Sequence, residues 1–326
     1  MKMTKNLHLE HPEDSILNGE LSVLNWFTAN SNISAKIDGS PAIVWGTNPK
    51  TNKFFVGTKS VFNKKLIKIN HDHREIDQNH TGEVANILHK CLDNLPFTDS
   101  IFQGDFIGFG GTDSFLSNTI RYIFPEEINE EIIIAPHTSY EAQEDLRDAI
   151  ASPISDKELI SLWQDAKNVQ FIRPFVTIDH NREDINQLCQ FAKQIATLCE
   201  FPKYKQVARI KKQLNTCIRE GIEIDDITQE ALASDNNVDV NVLRLWKLVQ
   251  TIKMDMLSYI EVDDDIECYI EEERCDHEGY VMSNEFGTFK IVNREGFSRA
   301  NFNICLLYTS DAADEGLGVD LGGRRI

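Results

Sequence analysis

The chain has 326 residues, 41% hydrophobic and 26% charged, which is enough for one large domain or two smaller ones. Its 33 Lys and Arg against 52 Asp and Glu give a net charge of −19, which excludes a generally basic nucleic-acid-binding surface but not a local basic groove. No apolar run reaches the roughly eighteen residues of a membrane span, the opening MKMTKNLHLEHPED has no apolar signal core, and seven irregularly spaced cysteines make no disulfide framework. Free thiols in a reducing cytoplasm, and no membrane partner, are the expectation.

In chain order, Pro12 followed by Glu13 and Asp14, with apolar residues from Ile16 to Trp26, predicts a helical opening. ISAKIDGSPAIVWG and KFFVGTKSVF are short runs separated by the turn-like TNPKTNK, a strand–turn–strand unit over 31–62. The polar stretch His71–Glu75 with His80 reads as a solvated loop rather than a metal site. GEVANILHKCLDNLP (82–96) reads as a helix, IFQGDFIGFG (101–110) as a strand ending in a Gly-rich turn, and EIIIAPHTSY (131–140) as another strand. His137 there is either a pocket residue or a hydrogen-bonded strand-end histidine.

From 141 to 262 apolar residues recur at spacings of three and four, which predicts a mainly helical block. It starts with EAQEDLRDAIA, carries a capping box at Ser155 and Glu158, and has one strand at IRPFVTID (172–179). The acidic EVDDDIECYIEEER (261–274) reads as a solvated connector, and Cys268 with Cys275 as no zinc pair, because no second pair accompanies them. Strand character returns over 279–293. Lys203, Lys205, Arg209, Lys211 and Lys212 form the densest basic cluster on a predicted helix, the best nucleic-acid-facing surface of an acidic chain.

The chemistry-bearing residues come in a fixed order. Lys36-Ile37-Asp38-Gly39 ends the first short strand; Gly57-Thr58-Lys59-Ser60 lies one hairpin later. Gly104-Asp105-Phe106 follows an apolar run, His277-Glu278-Gly279-Tyr280-Val281 follows the helical block, and Phe289-Lys290-Ile291-Val292 closes the set. Alone, K-x-D-G is a weak signal and reads equally as an Asp-Gly turn.

The ordered set resembles the covalent nucleotidyltransferase superfamily, the ATP-dependent RNA and DNA ligases and capping enzymes, over about 31–140 and 270–303. HLEHPED, APHTSY and FKIVNREGFSRANF add a similarity to a ligase-like family of tailed phages. The resemblance implies an α+β fold: a core of antiparallel sheets built from 1–140 and 263–304, with the helical block 141–262 inserted. It implies an ATP-dependent polynucleotide ligase, RNA favoured over DNA, acting through lysyl-AMP on 5′-phosphate and 3′-hydroxyl ends. A GTP-using capping enzyme, or a phage protein that binds nucleotide without turnover, are the alternatives.

By the same resemblance Lys36 is the nucleophile, Asp38 contacts the sugar, and Gly39 allows a close backbone approach. Lys59 and Lys290 face the phosphates, Phe106 stacks on the base or fills the core, and Asp105 with Glu278 holds Mg²⁺ or Mn²⁺. A lysine nucleophile must be neutral, so burial and the nearby cations Lys59, Lys290 and a metal are expected to lower its pKa. Lys59 where relatives have Arg, Asp105 for the commoner Glu, and Val292 for a second basic residue depart from the pattern. Residues 305–326, CLLYTSDAADEGLGVDLGGRRI, resemble a translated sequencing-library adapter and are expected not to belong to the natural protein.

Overall fold

The computed structural model describes the backbone of 4–5 and residues 9–117, 119–270, 272–275 and 277–296; the adapter-like tail lies outside them. The fold is α+β, with predominantly antiparallel sheets.

The largest sheet has the order Thr4–Lys5, Ile150–Pro153, Ile132–Glu141, Ile101–Gly108, Ala42–Thr47, Phe54–Thr58. Val169–Phe171 adds in parallel to the first half of Ile132–Glu141. Strand alternation gives this sheet two apolar faces. Ile43, Trp45, Phe102, Phe106, Ile132 and Ile134 pack under the helices Gly82–Asn94 and Asp156–Asp165. Ile107, Ile133 and Ala135 face the other way and meet Ile37, Phe115 and Tyr122. The last two belong to a four-stranded sheet, Glu273–Cys275, Glu267–Ile270, Ile120–Ile128, Thr112–Ser117.

A three-stranded sheet runs Gly287–Ile291, Gly279–Asn284, Asn32–Lys36. Tyr280, Met282 and Ile291 bury one face against the helices Glu183–Ala196 and Val240–Met256 and the N-terminal Ile16, Leu24 and Trp26. Beyond them the helices Tyr204–Glu220 and Asp226–Asn236 close a separate core on Leu243 and Trp246. In Tyr204–Glu220 the buried residues are Val207, Ile210, Leu214 and Ile218, a single stripe worth about 1.5–3 kcal/mol per side chain.

Several expected elements are present. Both hairpin strands, the helix at 82–94, the strands at 101–108, 132–141, 279–284 and 287–291, and the Ser155–Glu158 capping box all form. Three readings change. EAQEDLRDAIA is not helical: it makes a 3-10 turn, Leu146–Asp148, and then the sheet strand Ile150–Pro153. Pro153 disfavours helix in the residue before it, and a sheet edge was waiting for those backbone groups. Together with Val169–Phe171 this puts the first third of the 141–262 block in the large sheet, and the long helices run from Glu183 to Met256. His73–Asn79 is a helix rather than a loop, capped by Asp72 accepting from Glu75 N at 2.9 Å and anchored by one buried residue, Ile76. The acidic stretch 261–274 is one whole strand, Glu267–Ile270, and parts of two others; Ile266, Cys268 and Ile270 alternate inward, while most of the acids are exposed and Asp264 turns in toward His277.

Candidate functional site

Lys36 ends a strand of the three-stranded sheet, and Ala42 begins a strand of the large one, so residues 37–41 cross between the two. Ile37 anchors the crossing in the apolar cluster between the sheets. Ser40 N donates to Phe106 O at 2.9 Å and Phe106 N to Pro41 O at 3.1 Å, tying the crossing to the large sheet. At Gly39 a Cβ would lie 2.4 Å from the carbonyl oxygen of Phe106, so no side chain fits. Asp38 N donates to the Tyr122 hydroxyl at 3.0 Å. The K-x-D-G segment is thus a strap fixed at three points.

Register places the other residues. Gly279 pairs with Lys36, and Val281 with both Ser34 and Lys290. Tyr280, Met282 and Ile291 bury the helical face, so alternation puts Lys36, Ser34, Val281 and Lys290 on the opposite face. Glu278 precedes its strand at the same end. Gly279 has φ +150°, and a Cβ there would sit 2.4 Å from Ile291 O, so the backbone that delivers Glu278 is restricted to glycine. Asp105 comes from the large sheet, on the face opposite Phe106.

Lys36 Nζ donates to Glu278 and, at 3.3 Å, to Asp38 Oδ1. Its side chain is 27% exposed and that of Glu278 15%. Burial alone would lower the Lys36 pKa; the carboxylates of Glu278, Asp38 and Asp105 outweigh it and raise the pKa above the usual lysine value. The expected lowering is therefore not a property of the protein by itself. Glu278 is shifted up, by burial first, with the attraction of Lys36 opposing. Lys290 is shifted down, by burial and then by the charges of Lys36 and Arg294. Its ammonium makes no ion pair within the described residues.

The structure sets one expected residue apart from this group and leaves another open to solvent. The Phe106 ring is 5% exposed and packs edge-on to Phe109 in the core, so it offers no face to a base. Lys59 is exposed at the start of a 3-10 turn and makes no hydrogen bond or ion pair among the described residues. His137 does turn toward Asp105: its Nε2 lies 3.7 Å from Asp105 Oδ1 and 3.4 Å from Gln103 Nε2.

Two residues were missed. Tyr122 supports Asp38, and only the alternation in IRYIF hints at its inward direction. His277, 8% exposed, sits 2.9 Å from Asp264 Oδ2 and 3.5 Å from Cys268 Sγ, bracing the turn that carries Glu278.

Chemically, one ammonium lies among three carboxylates, Glu278, Asp38 and Asp105, with a second ammonium nearby, Lys290, that makes no ion pair among the described residues. That surplus of oxygen donors in a partly exposed cluster fits a hard divalent cation that takes few carboxylates and completes its shell with phosphate oxygens. Among the described residues there is no group of three or more His, Cys, Asp or Glu side chains clustered tightly enough to hold a metal unaided. Nor is there a helix long and apolar enough to cross a membrane.

Fold and site together define an α+β protein with a partly exposed cluster of charge where two sheets meet. The chain belongs to DUF6267, described as a family of unknown function, whose model matches residues 6–231 and 225–305. No curated protein and no solved structure matches it.

Proposed function

We propose that the protein is an ATP-dependent nucleotidyltransferase that forms a covalent lysyl-AMP on Lys36 and passes the AMP to a nucleic-acid 5′-phosphate, as a polynucleotide ligase does, with RNA the favoured acceptor. The supporting observation is the placement of Lys36, with Glu278 and Lys290 on one face of the small sheet and Asp105 opposite on the large one. It agrees with the ordered resemblance of the five motifs.

In this reading the Lys36 ammonium, 27% exposed, first gives its proton to solvent. Nζ then attacks the α-phosphorus; an N–P bond forms and the P–O bond to pyrophosphate breaks. Losing that proton requires weakening the Lys36–Glu278 pair. A divalent cation held by Glu278 and Asp105 would supply positive charge beside Lys36 and draw off the Glu278 carboxylate. Lys290, half-buried and without an ion pair among the described residues, binds the α-phosphate and offsets its growing negative charge. Asp38 is held by Tyr122 in the region of the sugar, and the glycine strap lets the backbone close on the nucleotide. Splitting phosphoryl transfer into two steps is the gain from a covalent nucleophile.

The test is labelling with α-³²P-ATP and Mg²⁺. Wild-type protein takes up label that pyrophosphate removes and that shows the acid-labile, alkali-stable behaviour of a phosphoramidate. Lys36→Arg takes up none, because guanidinium stays protonated. Label retained in Lys36→Arg, or no label with any nucleotide, rejects the reading; preferential labelling by GTP moves it to capping chemistry.

A further inference from the structure

We infer that the solvent face of the helix Tyr204–Glu220 is the docking surface for the phosphodiester backbone of the nucleic-acid acceptor, an inference that rests on the proposed function for its acceptor and on the surface itself for its chemistry.

Val207, Ile210, Leu214 and Ile218 fix which side of this helix is buried. At 100° per residue, Lys205, Arg209, Lys212 and Arg219 fall on the opposite side, within about 40° of one line. No acidic residue interrupts that line from 205 to 219 in a chain that carries −19 overall. Fourteen residues at 1.5 Å each give the stripe a length of about 21 Å. Lys205, Arg209 and Lys212 are exposed and make no ion pair among the described residues. Their neighbour Lys211, turned aside, is tied to Glu10 at 3.1 Å. Arg219, at the end of the line, is hydrogen-bonded within its own helix, to Asn215 O at 3.2 Å and Thr216 Oγ1 at 3.3 Å; Lys205, Arg209 and Lys212 are the aligned cations turned to solvent.

A second observation points to the same ligand. Tyr204, at the head of the helix, is 85% exposed. It stands at the head of the row, about 100° round the helix from the cationic line and on the side of Lys211, where its exposed ring can stack a base next to the first cation.

The stripe is joined to the candidate site. Glu10, the partner of Lys211, accepts through its carbonyl from Lys290 N at 3.2 Å. Asn215 of the same helix accepts from Arg294, four residues beyond Lys290. The flank of the helix thus abuts the edge strand that carries Lys290, about a quarter turn round the helix from the cationic line.

The experiment measures binding of a fluorescent, 5′-phosphorylated single-stranded RNA, and of the DNA of the same sequence, over a salt series. Four phosphate contacts give a log–log salt slope of about −3 for a single strand. The variant carrying Lys205→Glu, Arg209→Glu and Lys212→Glu should lose at least about tenfold in affinity and about 2 in slope. A milder variant with Gln at the three positions removes the same three contacts and should lose about the same in slope, with a smaller loss of affinity. Tyr204→Ala should weaken binding by about tenfold with the slope unchanged, since stacking releases no counterions.

Lysyl-AMP formation needs no acceptor, so the triple variant should still be labelled by ATP. Wild-type RNA affinity and slope in the triple variant, with labelling intact, would overturn the surface and leave the function standing. Slope loss in the triple variant, with no labelling of wild type, would overturn the function and leave the surface. Binding of neither RNA nor DNA by wild type would overturn the surface; preference for DNA would keep it and change the acceptor.

Discussion

Two clusters of charge sit a short distance apart in this molecule and are built oppositely. Glu13, Asp14, Lys253 and Arg294 are sealed between the N-terminal helix Pro12–Ile16, the helix Val240–Met256 and the segment after the last strand. Lys253 donates to Glu13 at 2.6 Å; Arg294 donates to Glu13 at 3.1 Å and Asp14 at 3.0 Å, and Trp246 to Asp14 at 3.0 Å. Two acids meet two bases, with 0% exposure at Lys253 and Glu13. Around Lys36 the count is three carboxylates to one paired ammonium, the groups are partly open, and the nearby Lys290 makes no ion pair among the described residues. The sealed cluster balances its own charges, two against two. The open one does not, and the cation and phosphate of the proposed reaction would complete it.

The largest effect that would break this contrast is on stability. Lys253→Met removes one cation from the sealed cluster and should cost about 3–5 kcal/mol, because Glu13 keeps its charge in a dry site. Adding Glu13→Gln should restore much of the loss. Urea midpoints of the two variants check it, and an inert Lys253→Met would mean that water reaches the cluster.

Next comes activity. Glu278→Gln and Asp105→Asn should each lower labelling by roughly 10²-fold or more, the usual size of a lost electrostatic contact in catalysis. Their midpoints should barely move, since the shapes are kept and burial already disfavours the Glu278 charge. Activity without loss, or stability loss as large as that of Lys253→Met, would place Glu278 with the structural charges.

The glycine strap should sit between the two. Gly39→Ala sets a methyl 2.4 Å from a backbone oxygen that cannot swing aside. About 1–3 kcal/mol of stability should go, with labelling falling further than stability alone explains. A variant of normal stability and activity would show that the strap is loose.

Such contrasts were only partly legible in the sequence. The strand–turn–strand unit could be read because short β-rich runs and turn residues act over neighbouring positions. So could the helices from Glu183 onward, whose apolar spacing spans many turns. EAQEDLRDAIA misled because its fate was decided by a distant sheet edge and not by its own weak pattern. The stretch 261–274 misled because its acids outnumber the three residues, Ile266, Cys268 and Ile270, that bury it. Lys36, Asp105, Glu278 and Lys290 could be named from motif order. That Phe106 turns into the core follows from strand alternation relative to helices far along the chain. That Lys36 is raised rather than lowered depends on Glu278, 242 residues away, and no local pattern carries it. Glu13 and Asp14 looked like ordinary first-turn acids; their burial needs Lys253 and Arg294, which the sequence does not mark.

The smallest effect, and the sharpest test of the open cluster, is the alkaline one. Lys36 is raised above 10.5 in the fold, so the folded state holds its proton more tightly than the unfolded chain does. Its contribution to stability is therefore fully present below about 10.5 and is lost as pH rises through the higher folded value. In Glu278→Gln the strongest of the raising charges is gone, burial counts for more, and the Lys36 pKa should fall. As pH rises above about 10.5, wild type should then lose more of its urea midpoint than Glu278→Gln loses. The same tight proton has a consequence at neutral pH. Lys36 should react slowly with an uncharged acylating reagent, more slowly than the exposed Lys59, because only the free amine reacts. Adding Mg²⁺ with a non-hydrolysable ATP analogue should change that rate at Lys36. Peptide mapping after brief acylation reads both sites at once. Equal reactivity of Lys36 and Lys59 in the free protein would mean that Glu278 does not hold the ammonium.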